Sequence, residues 1–106
     1  MSPESDESAE RVLTEAVARE VMGWNAWREE WNPVRNLEDA WEVVAKLRED
    51  RIRLELTDEG TRADRDWWQA TFFRHGQIGR AQGHTPCEAI CEAALVTTRA
   101  AKGGKS

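Results

Sequence analysis

The sequence predicts an α/β (α+β) domain of order α-α-β-β-β-α, with a three-stranded antiparallel meander packed by helices. Three observations carry that prediction. Apolar residues recur at three- and four-residue steps in the first half of the chain and again after residue 85, the period of helices with one buried face. Residues 51–57 alternate charged with apolar, and residues 67–73 form an aromatic, β-favouring run. The length of 106 residues suits one domain, and a composition 40% hydrophobic and 33% charged supports a folded core rather than general disorder.

The acidic start, Met1-Ser2-Pro3-Glu4-Ser5-Asp6-Glu7-Ser8, is expected to be disordered, the domain to occupy residues 9–101, and residues 102–106 to form a flexible tail. From Ala9 to Met22, Leu13, Ala16, Val17, Val21 and Trp24 fall on one helical face, and Gly23 can terminate the helix. A connector carrying Trp24, Trp27 and Trp31 closes at Asn32-Pro33, since proline keeps the preceding residue out of the helical region. Asn36 then offers an N-cap, with Glu38 and Asp39 in the first turn. Leu37, Trp41, Val44 and Leu47 are the expected buried stripe of this second helix, with Trp41 in the core.

In the first strand, residues 51–57, Ile52, Leu54 and Leu56 point inward. Asp58 to Asp66 reads as a polar loop around Gly60. Trp67 to Phe73 is the central strand, His75-Gly76 a turn, and Ile78 to Gln82 a short third strand in which Gly79 and Gly83 leave room for close packing. Thr85-Pro86-Cys87-Glu88 joins an N-cap, a proline at the first helical position and a glutamate at the third. The helix it starts should reach about Ala100 and bury Ile90, Ala93, Ala94 and Thr97.

The net charge of −5 disfavours generic binding to nucleic acid or anionic membrane, which draws on Lys and Arg meeting phosphates. The charge is unevenly placed: residues 1–50 carry −7 and residues 51–106 carry +2, so an anion should prefer the second half. No apolar run is long enough to span a membrane, and the acidic start lacks the basic-then-apolar pattern of an export signal, so a cytoplasmic location is expected. Cys87 and Cys91 lie one turn apart on one helix, where a disulfide rarely closes, and are read as reduced thiols.

Candidate sites follow from these placements. If Ile52, Leu54 and Leu56 face the helices, alternation sends Arg51, Arg53 and Glu55 to the other face, across from Trp67, Gln69, Thr71 and Phe73 or the opposite set with Trp68. Aromatic planes beside guanidinium groups can stack a base and hold phosphate. The expected ligand-binding residues are Arg53, Trp67, Gln69, Arg74 and Arg80, with Arg62 and Arg65 in the same region. Trp24, Trp27 and Trp31 stand at helical spacing, so they serve as core or, for Trp27 and Trp31, as partner contacts. His84, Cys87 and Cys91 offer three soft ligands but no fourth, and Cys87 at a helix start lacks an orienting residue. Buried apolar cysteine is the favoured reading, and neither metal, cofactor nor catalytic residue is assigned. The acidic pairs Glu29-Glu30, Asp58-Glu59 and Asp64/Asp66 read as solvated surface.

Two stretches carry a resemblance: Trp31-Asn32-Pro33 through Asp39-Ala40-Trp41-Glu42-Val43-Val44-Ala45-Lys46-Leu47, and Gly83 through Thr85-Pro86-Cys87-Glu88-Ala89-Ile90-Cys91-Glu92-Ala93-Ala94-Leu95. Together with Met22-Gly23-Trp24 they resemble the signature of the phage ABA-sandwich domain, over roughly residues 10 to 97. Val34-Arg35-Asn36-Leu37 and the polar stretch 57–66 depart from that pattern. The resemblance implies a three-stranded antiparallel sheet packed with helices and a phage or prophage origin, without an assigned activity. It leads to the expectation of a non-enzymatic phage protein in the host cytoplasm, countering host defence by sequestering a nucleotide-like signal or masking a host protein. A homodimer is one assembly it allows. The rival expectations are a nuclease or hydrolase using loop carboxylates or Cys87, and a structural phage part.

Overall fold

The computed structural model describes residues 3–26 and 30–103, with side chains over 9–26 and 30–101. Helix α1 runs Pro3–Ala16 and continues as one π-helical turn over Val17–Val21; α2 is Leu37–Arg48, and strands β1 Arg53–Arg62, β2 Arg65–Phe73 and β3 Gln77–Gly83 precede α3, Pro86–Gly103. The strands pair antiparallel in the order β1-β2-β3, the expected meander. The element order matches the α-α-β-β-β-α reading, with α1 starting at Pro3 rather than Ala9 and α3 reaching Gly103.

The wide turn is built from a five-residue hydrogen bond: the Met22 N–H donates to the Val17 carbonyl at 3.1 Å. Gly23 then adopts φ +76°, and the Trp24 N–H donates to the Ala18 carbonyl at 2.9 Å, so the helix ends as a left-handed cap that glycine makes inexpensive. This geometry buries Val17, Ala18 and Val21 against α3.

The Asn-Pro connector is tied by polar contacts as well as by packing. Trp31 is only 1% exposed, and its Nε1–H donates to Glu42 Oε1 on α2 at 2.7 Å. The Asn32 N–H donates to Asp39 Oδ2 at 2.8 Å, while Asn32 Oδ1 accepts from the Val34 N–H at 3.1 Å. Asn36 caps α2 as expected, its Oδ1 accepting from the Glu38 and Asp39 N–H groups.

These anchors set the rotation of α2, and here the expected stripe is corrected. Ala40, Val43, Val44 and Leu47 face the core, whereas Leu37 is 46% and Trp41 48% exposed. Two overlapping stripes satisfy the 3.6-residue period on this helix. The contacts of Glu42 and Asp39 with the connector select the stripe led by small Ala40, and the large ring of Trp41 is left outside.

The stretch read as a polar loop is also corrected. β1 and β2 continue to a two-residue turn at Ala63-Asp64, both at positive φ (54° and 64°), the signature of a type I′ hairpin whose twist matches the strands. A bulge between Asp58 and Gly60 interrupts the register, with Gly60 at φ +85° and its N–H donating to Asp58 Oδ1 at 2.8 Å. Arg51, expected inside the first strand, instead sits at φ 64° in the turn leaving α2, and pairing begins at Arg53.

One sheet face receives the helices. Leu54, Leu56, Trp68, Ala70, Phe72 and Ala81 join the core cluster with α3, and Ile52 is buried just before β1. α3 lies over β3 and β2 because two glycines admit it: a Cβ at Gly79 would stand 2.7 Å from the Thr97 nitrogen, and one at Gly83 2.7 Å from the Ala89 nitrogen. α2 covers the β1 side, and the π turn packs on α3 from beyond. The helix-start signal of α3 holds: the Glu88 N–H donates to Thr85 Oγ1 at 3.1 Å, and Glu88 Oε1 accepts from the His84 N–H at 2.6 Å.

Candidate functional site

Strand register dictates what the other face presents. Residues directly opposite share a face, so reading across β1, β2 and β3 gives Arg53–Phe73–Gln77, then Glu55–Thr71–Arg80, then Thr57–Gln69–Gln82. Gly60 pairs Trp67 and Arg62 pairs Arg65 toward the hairpin end. The outer-strand members Arg53, Glu55, Thr57, Arg80 and Gln82 are exposed, and no helix lies over them. Thr71, at the centre of the middle strand, is 9% exposed because its neighbours crowd it.

Four of the five expected ligand residues therefore come together: Arg53, Trp67, Gln69 and Arg80 share this open face. Arg53 and Arg80 stand two strands apart, about 10 Å sideways at ordinary strand spacing. Neither makes an ion pair among the described residues, so both guanidinium groups keep their donors for a ligand. Arg74 is set apart. It follows β2, and its Nη1 donates to the Asp50 carbonyl at 3.1 Å, bracing the connector into β1.

At the hairpin end the sequence places Arg62 and Arg65 in the region of Trp67 but does not show His84 with them. The Arg62 guanidinium lies 5.3 Å from the Trp67 ring centroid, and the His84 ring lies 4.2 Å from the same indole. Arg65 Nη1 is 3.3 Å from His84 Nε2, and His84 Nδ1 is 3.2 Å from the Asp66 carbonyl. In sequence His84 stands near the cysteines, and the turn linking its strand to α3 hides that the ring aims at β2.

The other candidates are placed as follows. Trp31 belongs to the core, its indole against Trp24 with centroids 4.8 Å apart, which removes it from the outer surface; Trp27 lies outside the described residues. Cys87 and Cys91 are buried free thiols, and burial pushes both pKa values up, most strongly for Cys91, where Cys87, Glu92 and Glu88 add to the effect. Among the described residues no group of three or more His, Cys, Asp and Glu side chains is placed to hold a metal ion. Asp66 accepts from Thr61 Oγ1 at 2.7 Å and Asp58 from the Gly60 N–H, so these carboxylates serve the hairpin.

Two grooves border α2 rather than the sheet face. One of about 560 Å³ is lined by Met22, Trp24, Ala26, Glu42, Ala45, Lys46 and Glu49; one of about 390 Å³ by Trp41, Val44, Ala45, Arg48 and Leu54.

A model of the phage ABA sandwich domain matches residues 15–95, most of the chain, including both stretches that carried the resemblance. The chain belongs to the phage ABA sandwich family. A solved relative in fold is a phage protein from Bacillus cereus ATCC 14579, determined by crystallography at 2.0 Å. It aligns with a TM-score of 0.65 over 83% of this chain and 90% of that one, at 21% identity, which shows shared architecture. No curated protein sequence matches. No helix among the described residues of this ABA sandwich protein is long and apolar enough to cross a membrane.

Proposed function

We propose that this phage protein is a non-enzymatic binding protein that counters host defence in the host cytoplasm by sequestering a nucleotide-like signalling molecule on the open sheet face. The observation that carries the reading is the pairing of free guanidinium groups, Arg53 and Arg80, with amide and indole side chains, Gln69 and Trp67, on a face no helix covers. Guanidinium forks match phosphate oxygens, an indole stacks a base, and a carboxamide reads its hydrogen-bonding edge. Holding a ligand needs no nucleophile, and the two thiols that offer one are buried and protonated. A second copy laid against the face would close it over the ligand, making a homodimer the natural assembly.

A thermal-shift screen with cyclic and linear nucleotides tests this. A ligand present at 100 times its Kd stabilises the folded state by about 2.7 kcal/mol, a shift easily read for a domain of this size. Arg53→Ala with Arg80→Ala should remove the shift while leaving the unliganded Tm nearly unchanged. If millimolar nucleotides stabilise neither protein, the sequestration reading fails.

A second reading rests on a different observation: Leu37 and Trp41 are half exposed on α2, beside a groove and within the acidic half of the chain. Such a stripe fits the masking of a host protein surface. Trp41→Ala would abolish capture of that partner and spare nucleotide binding, the reverse of the arginine pair.

A further inference from the structure

The tip of the β1–β2 hairpin ends in an arrangement that a hairpin alone does not need. Arg62 and Arg65 stand directly opposite each other, and like charges at such positions destabilise a ladder. Neither makes an ion pair among the described residues. Instead both are gathered around Trp67: Arg62 lies over the indole, and Arg65 reaches His84, whose ring contacts that same indole.

The hydrogen bonds assign the histidine tautomer. The Asp66 carbonyl only accepts, so His84 Nδ1 carries the proton, and Nε2 is left to accept from Arg65. One guanidinium N–H is thereby used to orient Arg65, and its remaining donors point elsewhere. Glu88, the acidic side chain nearest in the contacts of His84, is engaged by the His84 backbone N–H. Asp66 is engaged by Thr61. Two oriented guanidinium groups with no carboxylate pairing them, flanking an aromatic wall, are the donor set that a doubly charged tetrahedral oxyanion satisfies.

We infer that Arg62 and Arg65, with His84 orienting Arg65 and Trp67 as the wall, form a seat for a phosphate group. The inference rests on the reading of the open face as a ligand surface, and it adds a phosphate position at the hairpin end to the one that Arg53 and Arg80 offer. An anion seated there relieves the Arg62–Arg65 repulsion, so binding stiffens the hairpin tip. The two sources of such a group, inorganic phosphate and a phosphate ester, share this chemistry and are separated by the test.

The test is an NMR titration of the whole chain with adenosine, pyrophosphate and adenosine monophosphate, each added alone, following the Trp67 indole N–H and the backbone amides. Pyrophosphate is expected to move the Trp67, Arg65 and His84 signals in a saturable manner. Arg62→Ala with Arg65→Ala should weaken it about tenfold or more, whereas Arg11→Ala, at an exposed arginine of α1, should leave it within about twofold. His84→Gln, which keeps an acceptor for Arg65, should retain most of the affinity, and His84→Ala should not. Adenosine monophosphate binding about tenfold tighter than pyrophosphate identifies an ester as the ligand, and equal or weaker binding identifies an inorganic phosphate. Pyrophosphate that moves no hairpin signal, or whose binding survives loss of both arginines, overturns the seat. Adenosine and adenosine monophosphate leaving the Gln69 and Arg80 signals unmoved while pyrophosphate still binds would instead overturn the reading of the wider face.

Discussion

Gly79 and Thr97 show how single atoms set the distance between helix and sheet. A Cβ at residue 79 would stand 2.7 Å from the Thr97 nitrogen and 2.9 Å from its Cα, so the obstacle is backbone and cannot swing aside. Gly79→Ala is expected to cost about 3 kcal/mol, the upper end of overpacking, read by urea denaturation. The Thr97 hydroxyl is buried without a hydrogen-bond partner among the described residues. Thr97→Val removes that unsatisfied group at constant shape and should be neutral or stabilising by about 1 kcal/mol in the same assay. The cysteines behave as buried apolar residues: with both thiols raised, alkylation at about pH 8 should leave the native protein unmodified by mass and label Cys87 and Cys91 in urea. Because the folded values lie above those of free thiols, their contribution to stability is complete below about pH 8.5 and is lost as pH rises further.

At the scale of elements, the signals that worked were those with local chemistry. Asn36 and Thr85-Pro86 announced α2 and α3, and Asn36→Ala should cost about 1 kcal/mol by loss of the accepted N–H bonds. Alternation in β1 shows that Arg53 faces away from the helices but leaves open whether Trp67 and Gln69 or the set with Trp68 lies across from it; the strand register decides for Trp67 and Gln69, with Arg80 on the same face. Two things were hidden. The rotation of α2 depends on contacts of Glu42 with Trp31 and of Asp39 with Asn32, which are tertiary, so the period alone does not show that Trp41 lies outside the core. The hairpin reads as a loop in sequence because Ala63-Asp64 lacks the Asn-Gly signature, although both residues adopt the left-handed conformation such turns demand. That strain makes a prediction of its own: Ala63→Asn with Asp64→Gly should raise stability by about 1 kcal/mol, and a lower Tm would contradict the turn assignment. Arg62 and Arg65 are legible in the region of Trp67, but the place of His84 beside that indole is not, since it exists only once the hairpin is closed.

For the molecule as a whole, every helix gathers on one side of three strands, and the opposite side is left to polar and aromatic groups. The uneven charge of the chain now has a place: excess acid lies in the helical first half, and the free arginines lie on the sheet. A protein built this way has a covered core and one sheet face that no helix covers among the described residues. The most direct test is native mass spectrometry of the protein isolated gently from infected bacteria, beside the Arg53→Ala and Arg80→Ala double variant. The wild-type protein is expected to retain a phosphorus-containing small molecule, and the variant, equally folded, to come through bare. A wild-type protein without such a molecule, or a variant that still carries it, would rule out Arg53 and Arg80 on the open sheet face as the ligand's hold.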